Sequence, residues 1–378
     1  MSTTLRIRRV SARVYRYPLE TPVTTSFGSM RDRPAVFTEV EDADGTIGYG
    51  EIWCNFPACG AEHRARLLAS VMAPLLCGAD FAHPTQPFAL LTGKTAVLAI
   101  QSGEQGPMAQ VIAGIDTAVW DLAARKAGQP LWRFLGGASP AIKVYASGLN
   151  PDHPERLAEA RQADGHTAFK LKIGFGLDRD LANLTILRQT LGADAKLMVD
   201  ANQAWDLETA CRIAPRLGTF DLGWLEEPIR ADRPWSDWKA LAAASPVPLA
   251  AGENIAGEAD FEAALATNIL RVVQPDMAKW GGYTGCLPIA RRIRESAATF
   301  CPHYLGAGIG LLASAHLLAA AGGDGMLEID ANPNPLRSLL AGPLETIQNG
   351  RAELSDAPGL GLVPDFSSLQ PYAAHLAG

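Results

Sequence analysis

The chain has 378 residues, 48% hydrophobic and 19% charged, which supplies a packed core and excludes disorder for most of its length. Its formal charge of −7 argues against a basic groove for nucleic acid, and no stretch is apolar for long enough to cross a bilayer. Six cysteines (Cys54, Cys59, Cys77, Cys211, Cys286 and Cys301) form no CxxC pair, so neither a zinc pattern nor a disulfide framework is expected. With a polar, basic N-terminus, they suit a reducing, cytoplasmic compartment.

Residues 5–50 read as strands. Val36–Val40 is apolar-rich, Asp44-Gly45 offers a turn and Ile47–Ile52 resumes the extended pattern, which predicts a hairpin. Residues 20–33, rich in Thr, Ser, Gly and Arg, are expected to form a mobile loop. Glu62–Leu76 turns helical. Val111–Ala127 is an amphipathic helix with Ile112, Ile115, Val119 and Leu122 at three-to-four spacing, ended by Gly128. A short helix over Pro130–Leu135 stops at Gly136-Gly137. This first part reads as an α+β domain.

From Lys143 onward, short apolar strands alternate with Ala/Leu-rich helices. Eight strands are expected, at Lys143–Ser147, Ala168–Ile173, Lys196–Asp200, Leu222–Glu226, Val247–Gly252, Leu270–Pro275, Thr299–His303 and Met326–Asp330. Polar residues sit at or just past their C-terminal ends: Ser147, Lys172, Asp200, Glu226, Glu253, Asp276, His303 and Glu328. The gaps between them run from 23 to 28 residues, room for one strand, one helix and two short loops. An open sheet would spread these groups along a line. A closed (β/α)8 barrel gathers them on one face, so the spacing favours the barrel.

Asp200, Glu226 and Glu253 end three consecutive strands. Three anions in one cavity repel unless a cation joins them, and oxygen-only ligands with an incomplete shell suit Mg2+. Lys170 and Lys172, at i and i+2, face the same way among apolar neighbours. Each disfavours the other's charge, so one can become a base near neutral pH. Asp276 and His303 end neighbouring strands, which permits the carboxylate to orient the imidazole. Gly306-Ala307-Gly308-Ile309-Gly310 is GxGxG rather than GxGxxG and sits in the seventh unit, which argues against nicotinamide binding.

Lys-x-Lys, Asp200-Ala201-Asn202, Glu226-Glu227-Pro228, Gly252-Glu253-Asn254, the run from Pro275-Asp276 through Lys279 to Gly281-Gly282, and Pro302-His303 together resemble the enolase superfamily, mandelate-racemase subgroup. The match spans nearly the whole chain, and Ile115–Leu122 and Pro130–Gly137 resemble the last helices of that family's capping domain. The resemblance implies an α/β fold: a modified (β/α)7β TIM-type barrel with an α+β capping domain built from both chain ends. The boundaries would be 1–135 for the cap, 136–331 for the barrel and 332–378 for a segment returning to the cap.

It also implies site roles. Asp200, Glu226 and Glu253 would bind Mg2+. Lys172 and the His303–Asp276 pair would be the acid/base groups. Lys170 would hold the substrate carboxylate, and Asn202 would support substrate or metal. Glu328 would hydrogen-bond the enediolate oxygen, either protonated or through another donor. Trp53, Asn55, Arg31 and Arg33, on loops at 24–33 and 53–59, would meet the distal substrate end. The implied reaction removes the proton α to a carboxylate, and dehydration of a sugar acid is the expected outcome. Lactone-opening cycloisomerisation and racemisation or epimerisation are the other fates. A noncatalytic carboxylate-binding protein is the rival class. The expected partner is a small carboxylate, and homo-oligomers are usual for such folds.

Overall fold

Cross-strand pairing organises the first fifty residues. In the computed structural model, which describes residues 4–25 and 28–374, β1 (Leu5–Thr25) and β2 (Gly28–Asp42) form one long antiparallel hairpin. The stretch expected as a mobile loop, 20–33, is the far end of this hairpin, with Val23 opposite Met30; Ser26 and Phe27 lie outside the described residues. Polar composition misleads there because a polar strand position can be held across the hairpin, as Asp32 is by Arg16 at 2.9 Å. With β3 (Ile47–Ile52) and β4 (Asp80–Phe81) the sheet order is β3-β2-β1-β4.

Alternation along these strands buries both faces of the sheet. Val10, Val14, Val36, Val40 and Ile52 pack under the helices α1 (Gly60–Leu67), α2 (Ala73–Leu76), α3 (Thr85–Ser102) and α4 (Gln105–Lys126). Tyr15, Ala35, Phe37 and Tyr49 point the other way and join the barrel core. α4 lies directly on β3 because Gly48 and Gly50 lack side chains. A Cβ on either would sit 2.1 Å from a carbonyl oxygen of the helix, that of Ala118 or Gly114. α5 (Leu131–Phe134) then leads to the barrel.

The barrel strands are β5 (Ala141–Leu149), β6 (Ala168–Lys172), β7 (Lys196–Asp200), β8 (Leu222–Glu226), β9 (Leu249–Ala251), β10 (Val272–Val273), β11 (Thr299–Phe300) and β12 (Met326–Asp330). β5 to β11 pair in parallel in chain order, and β12 returns to β5. Between them run α6 (Pro154–Ala163), α7 (Leu177–Leu191), α8 (Leu207–Leu217), α9 (Trp235–Ala244), α10 (Glu258–Ala266), α11 (Gly282–Glu295) and α12 (Gly308–Ala321). Among the described residues, no long eighth helix follows β12. The chain passes to the short α13 (Pro335–Ser338), and β13 (Arg351–Glu353) pairs antiparallel with β5. A last turn of 3-10 helix, Phe366–Tyr372, lies against the cap sheet, with Phe366 stacked on Tyr15 at 6.1 Å. No helix among the described residues is long and apolar enough to cross a membrane.

Inside the barrel, period two sets the layers. Tyr145, Ala168, Met198, Trp224, Ala250, Val272, Cys301 and Met326, one from each strand or its end, form a buried apolar plug. Two residues later in each case stand Ser147, Lys170, Asp200, Glu226, Gly252, Gln274, His303 and Glu328. The change from apolar to polar is one strand step, roughly 6–7 Å along the barrel.

Candidate active site

Lys170 occupies the middle of this polar layer and is fully buried. Its Nζ lies 2.6 Å from Glu226 Oε1, 2.8 Å from Glu328 Oε1 and 3.8 Å from Asp200 Oδ2, with the Tyr145 ring 5.4 Å below. Burial alone would lower its pKa, but Glu226 and Glu328 hold it well above the usual lysine value. Trp224 Nε1 (3.0 Å) and Gln274 Nε2 (2.7 Å) also donate to Glu226. Burial pushes the Glu226 carboxyl up to about 7 against the pull of Lys170.

Lys172 is one step nearer the mouth, with Nζ 2.6 Å from Asp200 Oδ2. Asn202 donates to the same carboxylate from its backbone N (2.7 Å) and its side chain (3.1 Å). The sequence led us to expect a lysine with a lowered pKa. Burial does act that way, but Asp200 outweighs it and the Lys172 pKa is raised. The neighbouring lysine is the weaker influence because Lys170 is itself neutralised.

Glu253 enters the cavity by a break in alternation. Gly252, at φ +148°, turns the chain after β9, and a Cβ there would meet the Gln274 backbone nitrogen at 2.5 Å. Glu253 then meets His303 Nε2 at 2.8 Å and Lys279 Nζ at 3.2 Å. His303 Nδ1 lies 2.7 Å from Asp276 Oδ2, while Asp276 Oδ1 accepts from Ala278 N at 2.8 Å. Burial would lower the imidazole pKa, yet Glu253 and Glu328 hold it well above the ordinary value. Both ring nitrogens then act as donors.

Burial raises the Glu328 carboxyl less than Lys170 and His303 lower it, and it lies at about 2. It is therefore ionised, which sets aside the protonated form allowed above. Ser147 Oγ and Lys170 donate to it, and any hydrogen bond to a substrate oxygen comes from such a donor.

Above the layer opens a cavity of about 310 Å3. Lys172, Asn202, Glu253, His303 and Glu328 line its floor, and Trp53, Asn55 and Phe56 come from the cap. Asn55 is fixed by donating to Leu305 O at 2.7 Å, and Trp53 lies under Lys279 Nζ at 5.1 Å. Lys170 does not line the cavity, because Glu226 and Glu328 enclose it. Arg31 is exposed on β2 outside the cavity, while Arg33 enters it. Gln274, Ser147 and Lys279 are further site residues. The period-two step from the apolar plug points to the first two.

Lys172 and His303 belong to staves three apart by one way round the barrel and five by the other. They therefore face the cavity from roughly opposite walls. Asp200, Glu226 and Glu253 come from three adjacent staves, with Asp200 in register with Glu226. Each is faced by an ammonium or imidazolium group. Among the described residues, no three acidic, histidine or cysteine side chains stand together as a formed metal cage.

Residues 153–368 match the family model of the enolase C-terminal domain-like fold. Residues 8–136 match that of the mandelate racemase/muconate lactonizing enzyme N-terminal domain. A crystal structure of a mandelate racemase/muconate lactonizing enzyme from Bordetella bronchiseptica is 57% identical. It covers 98% of this chain and 99% of its own, with a TM-score of 0.93. An enolase from Bradyrhizobium, complexed with magnesium and mandelic acid, is 30% identical over 99% of this chain and 100% of its own, with a TM-score of 0.86. The D-galactarolactone cycloisomerase of Agrobacterium fabrum is 28% identical, covering 97% of this chain and 99% of its own.

Proposed function

Because the chain belongs to the enolase superfamily, as an enzyme of the mandelate racemase/muconate lactonizing enzyme family, we propose that it is a Mg2+-dependent acid-sugar dehydratase. On this reading it removes the proton α to a carboxylate and expels water from the β-carbon. The observation that carries the reading is the placement of Lys172 and His303 on opposing walls above a buried carboxylate cluster. The lining adds the amides Asn55, Asn150, Asn254 and Asn332, beside Asn202 on the floor, which suit a hydroxyl-rich ligand.

Asp200, Glu226 and Glu253 would hold the cation. Their oxygen-only donor set, on adjacent staves, fits a hard dication, and Lys170, Lys172 and His303 now supply the countercharge it would bring. Magnesium, when bound, supplies a Lewis acid for the negative charge that develops on the substrate carboxylate. Lys172 and His303 divide the proton work: one takes the α-proton and the other protonates the departing β-hydroxyl. Asp276 keeps the imidazole oriented. Ser147, which lines the cavity and donates to Glu328, would place a donor beside the enediolate oxygens, while Lys170 holds Glu328 from below.

One observation favours a second reading. The likeness to a D-galactarolactone cycloisomerase runs over nearly the whole chain, and lactone opening is the same elimination with a ring oxygen leaving instead of water.

The test is incubation with sugar acids and their lactones, Mg2+ and D2O, followed by proton NMR. Loss of the α-proton signal with β-C–O cleavage is expected. Water release marks the dehydratase and lactone consumption the cycloisomerase. Deuterium gain with the skeleton intact would make it a racemase or epimerase, and no exchange with any acid would sink the reading.

A further inference from the structure

The two walls of the cavity are supported differently. Lys172 is the last residue of β6 and pairs in register with Asp200, the last residue of β7, so the sheet ladder itself holds it. The staves behind Asp276 and His303 are the two shortest, Val272–Val273 and Thr299–Phe300. Asp276 and His303 each stand three positions past the end of their stave. A backbone bond, His303 N to Pro275 O at 3.2 Å, and the side-chain pair at 2.7 Å link the two loops. Groups carried on loops keep such a geometry only where further contacts hold the loops in place.

The cap supplies those contacts. Glu51, on β3, accepts from Ala307 N at 2.6 Å and Gly310 N at 2.8 Å, four and seven residues past His303. Gly306 and Gly310 make room, since a Cβ on them would lie 2.4 and 2.0 Å from the hydroxyl of Tyr304, the residue after His303. The run Gly306–Gly310, which fits no nicotinamide site, is thus a seat for a cap carboxylate. On the neighbouring loop Asp116, from α4, accepts from Thr284 N at 3.0 Å and Thr284 Oγ1 at 2.5 Å, and Trp120 Nε1 donates to the same hydroxyl at 2.9 Å. Thr284 opens α11, which follows directly on the loop that carries Asp276. Glu51 and Asp116 are both buried, and neither lines the cavity.

We infer that Glu51 and Asp116 are positioning residues for the Asp276–His303 pair: the docked cap, through one buried carboxylate on each of two neighbouring loops, keeps the imidazole aimed into the cavity. The inference rests on the proposed acid/base role of His303 and adds what holds that group in place. Asp121 supplies the contrast. It is an equally buried cap carboxylate, but its partners Tyr49 N, Leu360 N and Arg125 Nε belong to β3, the C-terminal segment and α4, not to a loop that follows a barrel stave. Losing an anchor that only stabilises lowers the melting temperature. Losing one that aims the pair also displaces the imidazole.

The test labels the histidines of the full chain with 15N and reads their ring signals by NMR, the His303 signal being the one that His303→Asn lacks. In the wild type its Nδ1–H is expected far downfield, as a charge-assisted bond to Asp276 requires. Glu51→Gln and Asp116→Asn are each expected to shift or broaden that signal. With Mg2+ and the sugar acid that the wild type converts fastest, each should also lower kcat by about 10–100-fold with KM little changed, the scale of a misplacement of about 1 Å. Asp121→Asn should lower the melting temperature and leave the His303 signal and kcat near those of the wild type. An unchanged His303 signal in either Glu51→Gln or Asp116→Asn overturns the inference, as does an equal change in all three variants. Where a substitution prevents folding, Glu51→Asp or Thr284→Val, which weaken the same bonds, is read in its place by the same criteria. A wild type inactive on every acid sinks the proposed chemistry alone, because the ring signals still decide the positioning.

Discussion

Buried carboxylates do opposite work at the cap–barrel seam and in the cavity. At the seam their partners are mostly backbone. Glu51 accepts from Ala307 N (2.6 Å) and Gly310 N (2.8 Å) at the start of α12. Asp116 accepts from Thr284 N (3.0 Å) at the start of α11. Asp121 accepts from Tyr49 N (2.8 Å), Leu360 N (2.6 Å) and Arg125 Nε (2.7 Å). In the cavity Asp200, Glu226, Glu253 and Glu328 meet lysines and a histidine instead. Backbone amides at helix N-termini are fixed dipoles that cannot leave, so they anchor. Ammonium and imidazolium side chains can turn away or give up a proton, so the same kind of group becomes available for chemistry. The difference is legible only when partners are compared, since all these acids are buried.

The largest expected effect lies in the cavity. Lys172→Ala should lower α-proton exchange by about 10²–10⁴-fold, a typical acid/base contribution, with a melting temperature near that of the wild type. His303→Asn should lower turnover by a similar factor. At the seam the pattern should invert. Asp121→Ala leaves Arg125 and two amides without their acceptor and should cost about 3–5 kcal/mol in denaturant unfolding, with turnover per folded molecule within a few-fold. An Asp121→Ala chain that lost turnover without losing stability would break the division between the two regions.

A third effect tests neutral burial against charged burial. His316 Nδ1 accepts from Trp132 N at 2.9 Å, and burial lowers its pKa to about 4; His166 is likewise lowered to about 4. Both are depressed bases, so the unfolded chain binds more protons between about pH 4 and 6.5. The stability they lend is complete above pH 6.5 and is lost as pH falls toward 4, by up to about 3 kcal/mol each. Melting curves across that range should drop on acidification, and His316→Gln should flatten the slope. The smallest effect concerns Gly282, at φ +53°, where a Cβ would lie 2.4 Å from Asp116 Oδ2. Gly282→Ala should cost about 1–3 kcal/mol, and an unchanged melting curve would mean that the Asp116 anchor is slack.

The barrel was legible because two periodicities reinforce each other. Period two inside strands and a repeat of 23–28 residues between their ends place Asp200, Glu226, His303 and Glu328 in one layer. The far end of the long hairpin was not legible, since Asp32 and its neighbours in 20–33 look like loop residues until the opposite strand pairs with them. α3 went unread because Val97 and Ile100 stay exposed and blur its apolar face. Nor could spacing tell Arg31 from Arg33. Both sit at alternate positions on β2, and only the placement of β2 over the barrel mouth decides which one enters. The direction of the Lys172 pKa was missed for a related reason. Its nearest charge is Asp200, on the next stave, rather than Lys170 in its own strand.

The cap sheet has two covered faces, and the covers come from distant parts of the gene. Helices encoded beside the strands shield Val14 and Val36, whereas Tyr15 and Phe37 shelter beneath Phe366, encoded after the entire barrel. Transplanting residues 5–134 alone onto a related barrel would thus deliver a sheet with one side stripped. Recombination that preserves this lid must carry both ends of the reading frame together, which makes the cap a poor cassette.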